Sequence, residues 1–536
     1  EVVELGYVVH SSRRVYTLIT FIQPPSKKLK IFEYEPLLSI DLQLALLDVI
    51  EGREPSTPVN VSYEKAFEIA FGEESLGELK RVRLNDTRDV KRGFNLDESQ
   101  IEAVESILGL ERDELLLIIG PPGTGKTRVI AKASLELARR GEKILVSSHT
   151  NRAVDNIVGL LPLEHTLRIG RPEKVLEHVK PYLLSYRIDE SGSVLERLDG
   201  ELRAVTLRIR MLEVTGGDAV EIMALKRRCA ELFERRARLV REISEDLTGK
   251  VPIIGATLVK SQLPPLMSQR FDTVIIDEAS QASITLALLA MVKARKWVLV
   301  GDHKQLQPIF RSAKSIRECM RYSAFTRLLY KYPRRTLWLR YHYRSNVEIA
   351  EFVSRYVYEG RITPSNVCRS KLLILREEPR LALLEPTKPL VFLDVNGEEQ
   401  LDRGRSKYNE REAEAIFRIV EDLARCGVEK DRIAVITPYR AQKRILTSIL
   451  RDFGVEVDTV DGFQGREKDV VIFSLTATSN LWFAAERHRL NVALSRARLK
   501  LIVVGNLNTI MRNRYTLLYD YYIHCKSKGA VYRWEI

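Results

Sequence analysis

The 536-residue sequence predicts an α/β protein of two tandem parallel-sheet units, with a β-rich segment ahead of them and a helical hairpin inserted in the first. Three observations carry that class. Short apolar runs alternate with helical patterns at residues 114–119, 143–147, 273–276 and 297–300, and again at 390–393, 433–436, 470–474 and 501–504. Such alternation marks a parallel sheet whose crossovers are helices. The length exceeds what one hydrophobic core serves, at roughly 150 residues per domain. A Gly-rich loop, Gly120-Pro121-Pro122-Gly123-Thr124-Gly125-Lys126-Thr127, falls directly between a strand run and a helical pattern.

Residues 1–92 predict a small β-rich accessory domain, because 5–10, 15–22 and 29–38 are rich in β-branched and aromatic residues and are parted by turn signals such as Ser11-Ser12 and Pro24-Pro25. Residues 39–50 predict a helix. The first α/β unit is expected over 93–310 and the second over 311–536. Inside the first, at about 172–250, the texture changes: Leu195, Leu198, Leu202, Val205, Ile209 and Leu212 keep 3,4 spacing, which resumes after Gly216-Gly217 at Ile222, Leu225, Cys229, Leu232, Leu239 and Ile243. Two helices folded back at the glycine pair would bury both stripes against each other; a dimerisation seam is the other reading.

Composition sets limits on function. With 45% hydrophobic and 29% charged residues the chain has apolar material enough to fold. No apolar run of eighteen residues occurs, so no membrane span is expected. The chain opens on Glu1 without a signal-peptide pattern, which reads as an intracellular protein or a trimmed one, cytoplasmic, nucleoid-associated or nuclear. Cys229, Cys319, Cys368, Cys426 and Cys525 show no paired spacing, so neither a zinc finger nor a disulfide scaffold is expected. A net charge of +13 favours a polyanionic partner. The excess is localised: residues 1–99 are mildly acidic, whereas 321–344 and 481–536 each carry a local +7.

The chemistry starts at the loop. Its glycines, with Pro121, Pro122 and Thr124, allow backbone N–H groups to curl around phosphate; the following helix points its positive end at the charge; Lys126 reaches the β- and γ-phosphates and Thr127 ligates Mg²⁺. Asp277-Glu278-Ala279-Ser280 follows a strand closely, where Asp277 would hold Mg²⁺ and Glu278 would activate the attacking water of an ATP hydrolase.

Three further runs, Gly301-Asp302-His303-Lys304-Gln305-Leu306-Gln307-Pro308, Val460-Asp461-Gly462-Phe463-Gln464-Gly465-Arg466-Glu467-Lys468-Asp469 and Arg489-Leu490-Asn491-Val492-Ala493-Leu494-Ser495-Arg496-Ala497-Arg498, resemble motifs III, V and VI of superfamily-one helicases. The resemblance is to the five-prime-to-three-prime branch, which includes the nonsense-mediated decay helicase, the immunoglobulin mu-binding helicase and the helicase half of the replication nuclease-helicase. It covers about 93–506 and implies two tandem RecA-like P-loop domains. By that resemblance Gln100 reads adenine, Tyr343 stacks on the base, Gln305 senses the γ-phosphate, Glu467 contacts nucleotide across the cleft, and Arg344 and Arg496 act as arginine fingers. The family's Gln-Tyr-Arg is His342-Tyr343-Arg344 here, leaving His342 either a packed core histidine or a site residue. Residues 479–486 also lack the family's Gly-Phe-Leu.

For a polynucleotide track the resemblance implies Thr150, Asn151 and Thr257 in the first unit and Thr437, Pro438, Tyr439 and Thr459 in the second, groups that grip phosphates without reading sequence. The function implied is an ATP- and Mg²⁺-dependent translocase and helicase on single-stranded DNA or RNA, expected as a monomer. Two other readings keep the same site: an ATP-gated clamp or remodelling scaffold that does not unwind, and the motor fragment of a larger nuclease-helicase.

Overall fold

A computed structural model of the chain describes residues 6–12, 15–20, 35–73, 76–82, 94–189, 193–308, 310 and 315–535. Two parallel sheets organise it. The first has seven strands, in the order Thr166–Ile169, Ile253–Thr257, Ile144–Ser148, Phe271–Asp277, Ala294–Gly301, Leu115–Ile119 and Thr336–Trp338. Its central strands are largely apolar, because helices cover both faces of a parallel sheet and leave no solvent side; all five residues of Leu115–Ile119 and of Ile144–Ser148 are buried. Leu117 pairs with Leu299 on one side and Thr336 on the other. The last strand therefore lies beyond residue 310, where the sequence placed the unit's end.

The second sheet has six strands, ordered Glu456–Thr459, Ile433–Thr437, Lys468–Ser474, Ala497–Gly505, Leu390–Asp394 and Val531–Arg533, all parallel. It is packed by the amphipathic helix Glu410–Arg425 and by Val347–Val357 and Leu517–Ser527, whose apolar faces join the strands in one core.

Ahead of the first sheet, the β structure among the described residues is the hairpin Gly6–Ser12 with Val15–Thr20. Residues 35–38, expected as the end of a strand, open the helix Glu35–Ile50, and 29–34 lie outside the described residues. This helix and Lys65–Phe71 are not a separate unit: Leu42, Leu46, Ala66, Ile69 and Ala70 share a core with Leu115, Leu117 and the helix Ile284–Met291, and Gln43 accepts hydrogen bonds from Ser283 and Thr285. At 35–38 the helix, which buries Leu42 and Leu46 against the sheet, overrode the β character read from residue type.

The insertion is a helical hairpin, Ser193–Thr215 and Ala219–Lys250, turning at Gly216 with φ +72°. Leu198, Leu202 and Leu232 are buried in its seam, and Arg236, which interrupts the apolar stripe, pairs across it with Asp199. The glycine turn makes each helix a packing partner of the other.

One buried acid in the second sheet gives a stability test. Glu412 accepts hydrogen bonds from Ser474 Oγ at 2.7 Å and from the Thr476 amide at 2.8 Å. Burial pushes its carboxyl from 4.5 up to about 8, outweighing those bonds. Because the folded value lies above the unfolded one, this group's stabilisation is complete below pH ~4.5 and is lost as pH rises through about 8. Glu412→Gln, which resembles the protonated acid, is expected to be more stable than wild type by a few kcal/mol near pH ~9 and equal near pH ~4.5. Denaturant midpoints measured across that range check it; a gap that does not vary with pH would refute the linkage.

Candidate active site

The carboxyl ends of three neighbouring strands of the first sheet, Leu115–Ile119, Phe271–Asp277 and Ala294–Gly301, deliver the P-loop, the Asp277-Glu278 pair and Gln305 to one place, as open α/β sheets do with ligand-binding loops. The helix Lys126–Arg139 leaves the loop directly. Gly123 and Gly125 hold φ of +75° and +81°. A side chain at 123 would come within 2.6 Å of Arg344 Cβ, and one at 125 within 2.4 Å of Gln100 Nε2. Glycine is thus demanded by the backbone and again by the close approach of other segments. Thr124 Oγ1 donates to the Pro121 carbonyl at 2.7 Å, and Lys126 Nζ to that of Gly120 at 2.6 Å.

A cavity of about 770 Å³ opens above the loop. One wall is residues 121–127 with Asp277, Glu278 and Gln305; the other is Tyr343, Arg344, Glu467 and Arg496. Arg496, almost fully buried, donates through Nη2 to Gln305 Oε1 at 3.1 Å and through Nε to the Val492 carbonyl at 3.1 Å. The Tyr343 amide donates to the Gly123 carbonyl at 2.8 Å, and its hydroxyl to Asp97 Oδ2 at 2.7 Å. Residues of the second motif set therefore close directly on the loop of the first.

The charges are strongly perturbed. Burial and the neighbouring Glu278 push Asp277 up to about 7 against the pull of Lys126. Burial and Arg344 pull Arg496 down to about 10, which leaves it cationic at neutral pH. Glu467 is raised by burial, but Arg344 and Arg498 override this and hold it below the usual carboxylate range. Arg344 ion-pairs with Glu467 through Nε while its Nη1, also buried, finds no hydrogen-bond partner in the protein. A buried guanidinium edge without an acceptor, facing a glycine loop and a lysine, fits a phosphate. Among the described residues no cluster of three or more His, Cys, Asp or Glu side chains forms a metal cage. Thr127 with Asp277 fits a Mg²⁺ that keeps most of its waters and arrives with phosphate.

Several expected residues sit elsewhere than the cavity wall. Gln100 is buried beneath the loop, with Nε2 donating to the Thr124 carbonyl at 2.9 Å and Oε1 accepting from the Asp97 amide at 3.0 Å. Its amide is committed to the capping box of Glu98–Leu108, so it supports the loop's shape. His342 is buried against the loop, its Cε1 lying 2.7 Å from where a side chain at Gly123 would begin; Nε2 accepts from the Ser345 amide at 2.9 Å, and burial and Arg344 push it down to about 3, so it stays neutral.

Of the expected track, Thr150 lines the main cavity and caps the helix Asn151–Val158. Asn151 Oδ1 accepts from Arg168, which is fully buried and paired with Asp155. Thr257 and Thr459 are half-buried at the carboxyl ends of their strands. Thr437, Pro438 and Tyr439 are buried, and the Thr437 hydroxyl is within 3.2 Å of that of Thr476, so this turn offers backbone rather than the Thr437 side chain.

Two groups were not singled out in the sequence. Lys371 lines the cavity and donates to the carbonyls of Tyr343 and Arg344, at 2.7 Å each. Tyr358, fully buried, donates to Asp302 and accepts from Asn491 Nδ2 at 2.9 Å, while Asp302 accepts from Gln305 at 2.8 Å. Neither carries a motif; only Asp302, Gln305 and Asn491 lie in runs the sequence flagged.

The charge map changes as well. In the +7 stretch 321–344, Arg335 is 1% exposed and donates to the carbonyls of Leu115, Gly77 and Glu78, while Arg327 and Lys331 bond to carbonyls of residues 68–70. Much of that basic excess fastens the amino-terminal segment to the first sheet.

A glycine-loop ATP site walled by two parallel-sheet halves defines a P-loop ATPase of the tandem RecA-like class. Two AAA-domain family models match the chain, at residues 95–313 and 320–508. It is 31% identical to an ATP-dependent helicase of Methanocaldococcus jannaschii, over 80% of this chain and 70% of that protein. It is 31% identical to the DNA polymerase alpha-associated DNA helicase A of Schizosaccharomyces pombe, over 77% of this chain and 64% of that one. To the regulator of nonsense transcripts 1 of Dictyostelium discoideum the identity is 32%, over 84% of this chain but 33% of that protein. The chain belongs to the superfamily-one ATP-dependent helicases.

Proposed function

We propose that the chain is a Mg²⁺-dependent ATPase that translocates along single-stranded DNA or RNA from five-prime to three-prime and unwinds duplex ahead of it, acting as a monomer, with one motor half built on the first sheet, through the strand Thr336–Trp338, and the other on the second sheet. The observation that carries this is the ATP cavity shared between the halves, with Arg496 bonded to Gln305 and Arg344 packed on Gly123. Lys126 and the loop amides would bind the phosphates and Glu278 would orient the water. Thr127 and Asp277 would hold Mg²⁺, which when bound supplies charge neutralisation at the phosphate oxygens. Arg344 and Arg496 would neutralise charge over the transferred phosphoryl. Hydrolysis and phosphate release would remove the anion bridging the two walls and weaken their closure; alternating closure and opening would shift the grip of Thr150, Asn151, Thr257 and Thr459 along a strand.

ATP turnover is expected to rise several-fold on adding single-stranded polynucleotide. Forked substrates with DNA or RNA tracking strands and either overhang then fix chemistry and direction. A turnover rate indifferent to every strand would remove the translocase reading.

A further inference from the structure

Residues 478–486 follow the strand Lys468–Ser474 at the end of the sheet that carries the proposed track. The loop is fastened tightly. Glu399 accepts from the Thr478 amide at 2.7 Å, from the Ser479 amide at 3.1 Å and from the Ser479 hydroxyl, and Lys407 bonds the Asn480 carbonyl at 3.2 Å. Leu481 and Ala484 are buried. Between them Trp482 is 76% exposed, while Phe483 packs on the ring of Tyr439 at 5.5 Å and under the Arg489 guanidinium at 4.1 Å. A well-held backbone thus presents an indole to solvent. One exposed apolar side chain is unremarkable in itself. Its setting is not: Trp482 and Phe483 form one side of a cavity of about 290 Å³ whose other side is Leu306 and Pro308 of the first half, just after Gln305.

We infer that Trp482 is a stacking platform for one unpaired base of a bound single strand, at the groove between the two halves. The inference rests on the polynucleotide reading above and adds a contact to it. A flat apolar slot beside a cation suits a nucleobase, because every base offers a π-face whatever its sequence. Phe483 connects the slot to the buried Tyr439, and Asp461, in the run that follows Thr459, lines it. Because its two sides belong to different halves, a base held there would be gripped when the halves close and freed when they open.

The test uses the full chain, an oligothymidylate and an abasic oligomer of equal length. Of four tryptophans Trp297 is buried and Trp338 and Trp534 are half-buried, so Trp482 gives the solvent-facing emission. Oligothymidylate is expected to quench that emission and the abasic strand is not. Trp482→Ala should abolish the quench and weaken oligothymidylate binding about tenfold, Trp482→Phe should recover most of the affinity, and neither should change binding of the abasic strand. Equal binding of oligothymidylate by wild type and Trp482→Ala, or equal quenching by both strands, overturns the platform. Wild-type ATPase that responds to strand while Trp482→Ala binds normally overturns the platform and leaves the translocase standing; no response by wild type overturns both.

Discussion

Glu278→Gln is expected to bind ATP with near-wild-type affinity and to hydrolyse it at least about two orders of magnitude more slowly. Glu278 is the first residue beyond the strand Phe271–Asp277 and holds a left-handed φ of +52°, a conformation that costs a non-glycine residue roughly 1–2 kcal/mol. The turn points its carboxylate into the cavity, where Oε2 accepts from Gln281 Nε2 at 2.9 Å. Glutamine keeps the shape and the acceptor to Gln281 but loses the charge and basicity that a water-activating group needs. The binding elements, Lys126 and the 120–125 loop, are untouched by the change. Single-turnover hydrolysis alongside titration with a fluorescent nucleotide separates the two effects. Turnover within a few-fold of wild type would falsify the assignment of Glu278 as the base.

What the sequence disclosed follows from how locally each feature is encoded. The P-loop was legible because strand, loop and helix are contiguous and its glycines sit where a left-handed φ or a close approach demands them. Most of the central strands were legible as apolar runs, but Ile253–Thr257, interrupted by Gly255, was not. The edge strands Thr166–Ile169, Glu456–Thr459, Thr336–Trp338 and Val531–Arg533 were not, because they are short and are strands by virtue of what they pair with. The helix over 39–50 was legible, but its packing with Lys65–Phe71 against Ile284–Met291 was not, because it depends on residues more than two hundred positions away. Lys126, Thr127, Asp277, Glu278, Gln305, Tyr343, Arg344, Glu467 and Arg496 line one cavity, whereas Gln100 lies beneath the loop. Asp97 three residues before Gln100 is itself a capping-box pattern, and that local bond took the amide. Lys371 and Tyr358 act through carbonyls and a buried aspartate, partners that no spacing in the sequence announces.

Arg496→Ala is expected to lower ATP turnover by about three orders of magnitude while changing ATP affinity only a few-fold. Arg496 is 4% exposed, and its neighbours include the negative charges of Glu278 and Glu467. Burial makes it an expensive cation to keep, so its retention as a charged group argues for a task that charge performs. That task is to lie over the phosphoryl as its charge spreads in the transition state, which contributes to rate more than to ground-state binding. Truncation also strips Gln305 Oε1 of its donor across the cleft, so strand-stimulated turnover should fall at least as far as the basal rate. Arg496→Lys separates charge from geometry. A lysine restores the cation but not the planar fork that reaches Gln305 and the Val492 carbonyl together, so it should recover little activity. If ATP affinity instead falls in parallel with turnover, and the melting temperature falls with both, Arg496 is a strut of the interface. If Arg496→Lys regains most of the rate, charge suffices and the contact with Gln305 is incidental to hydrolysis.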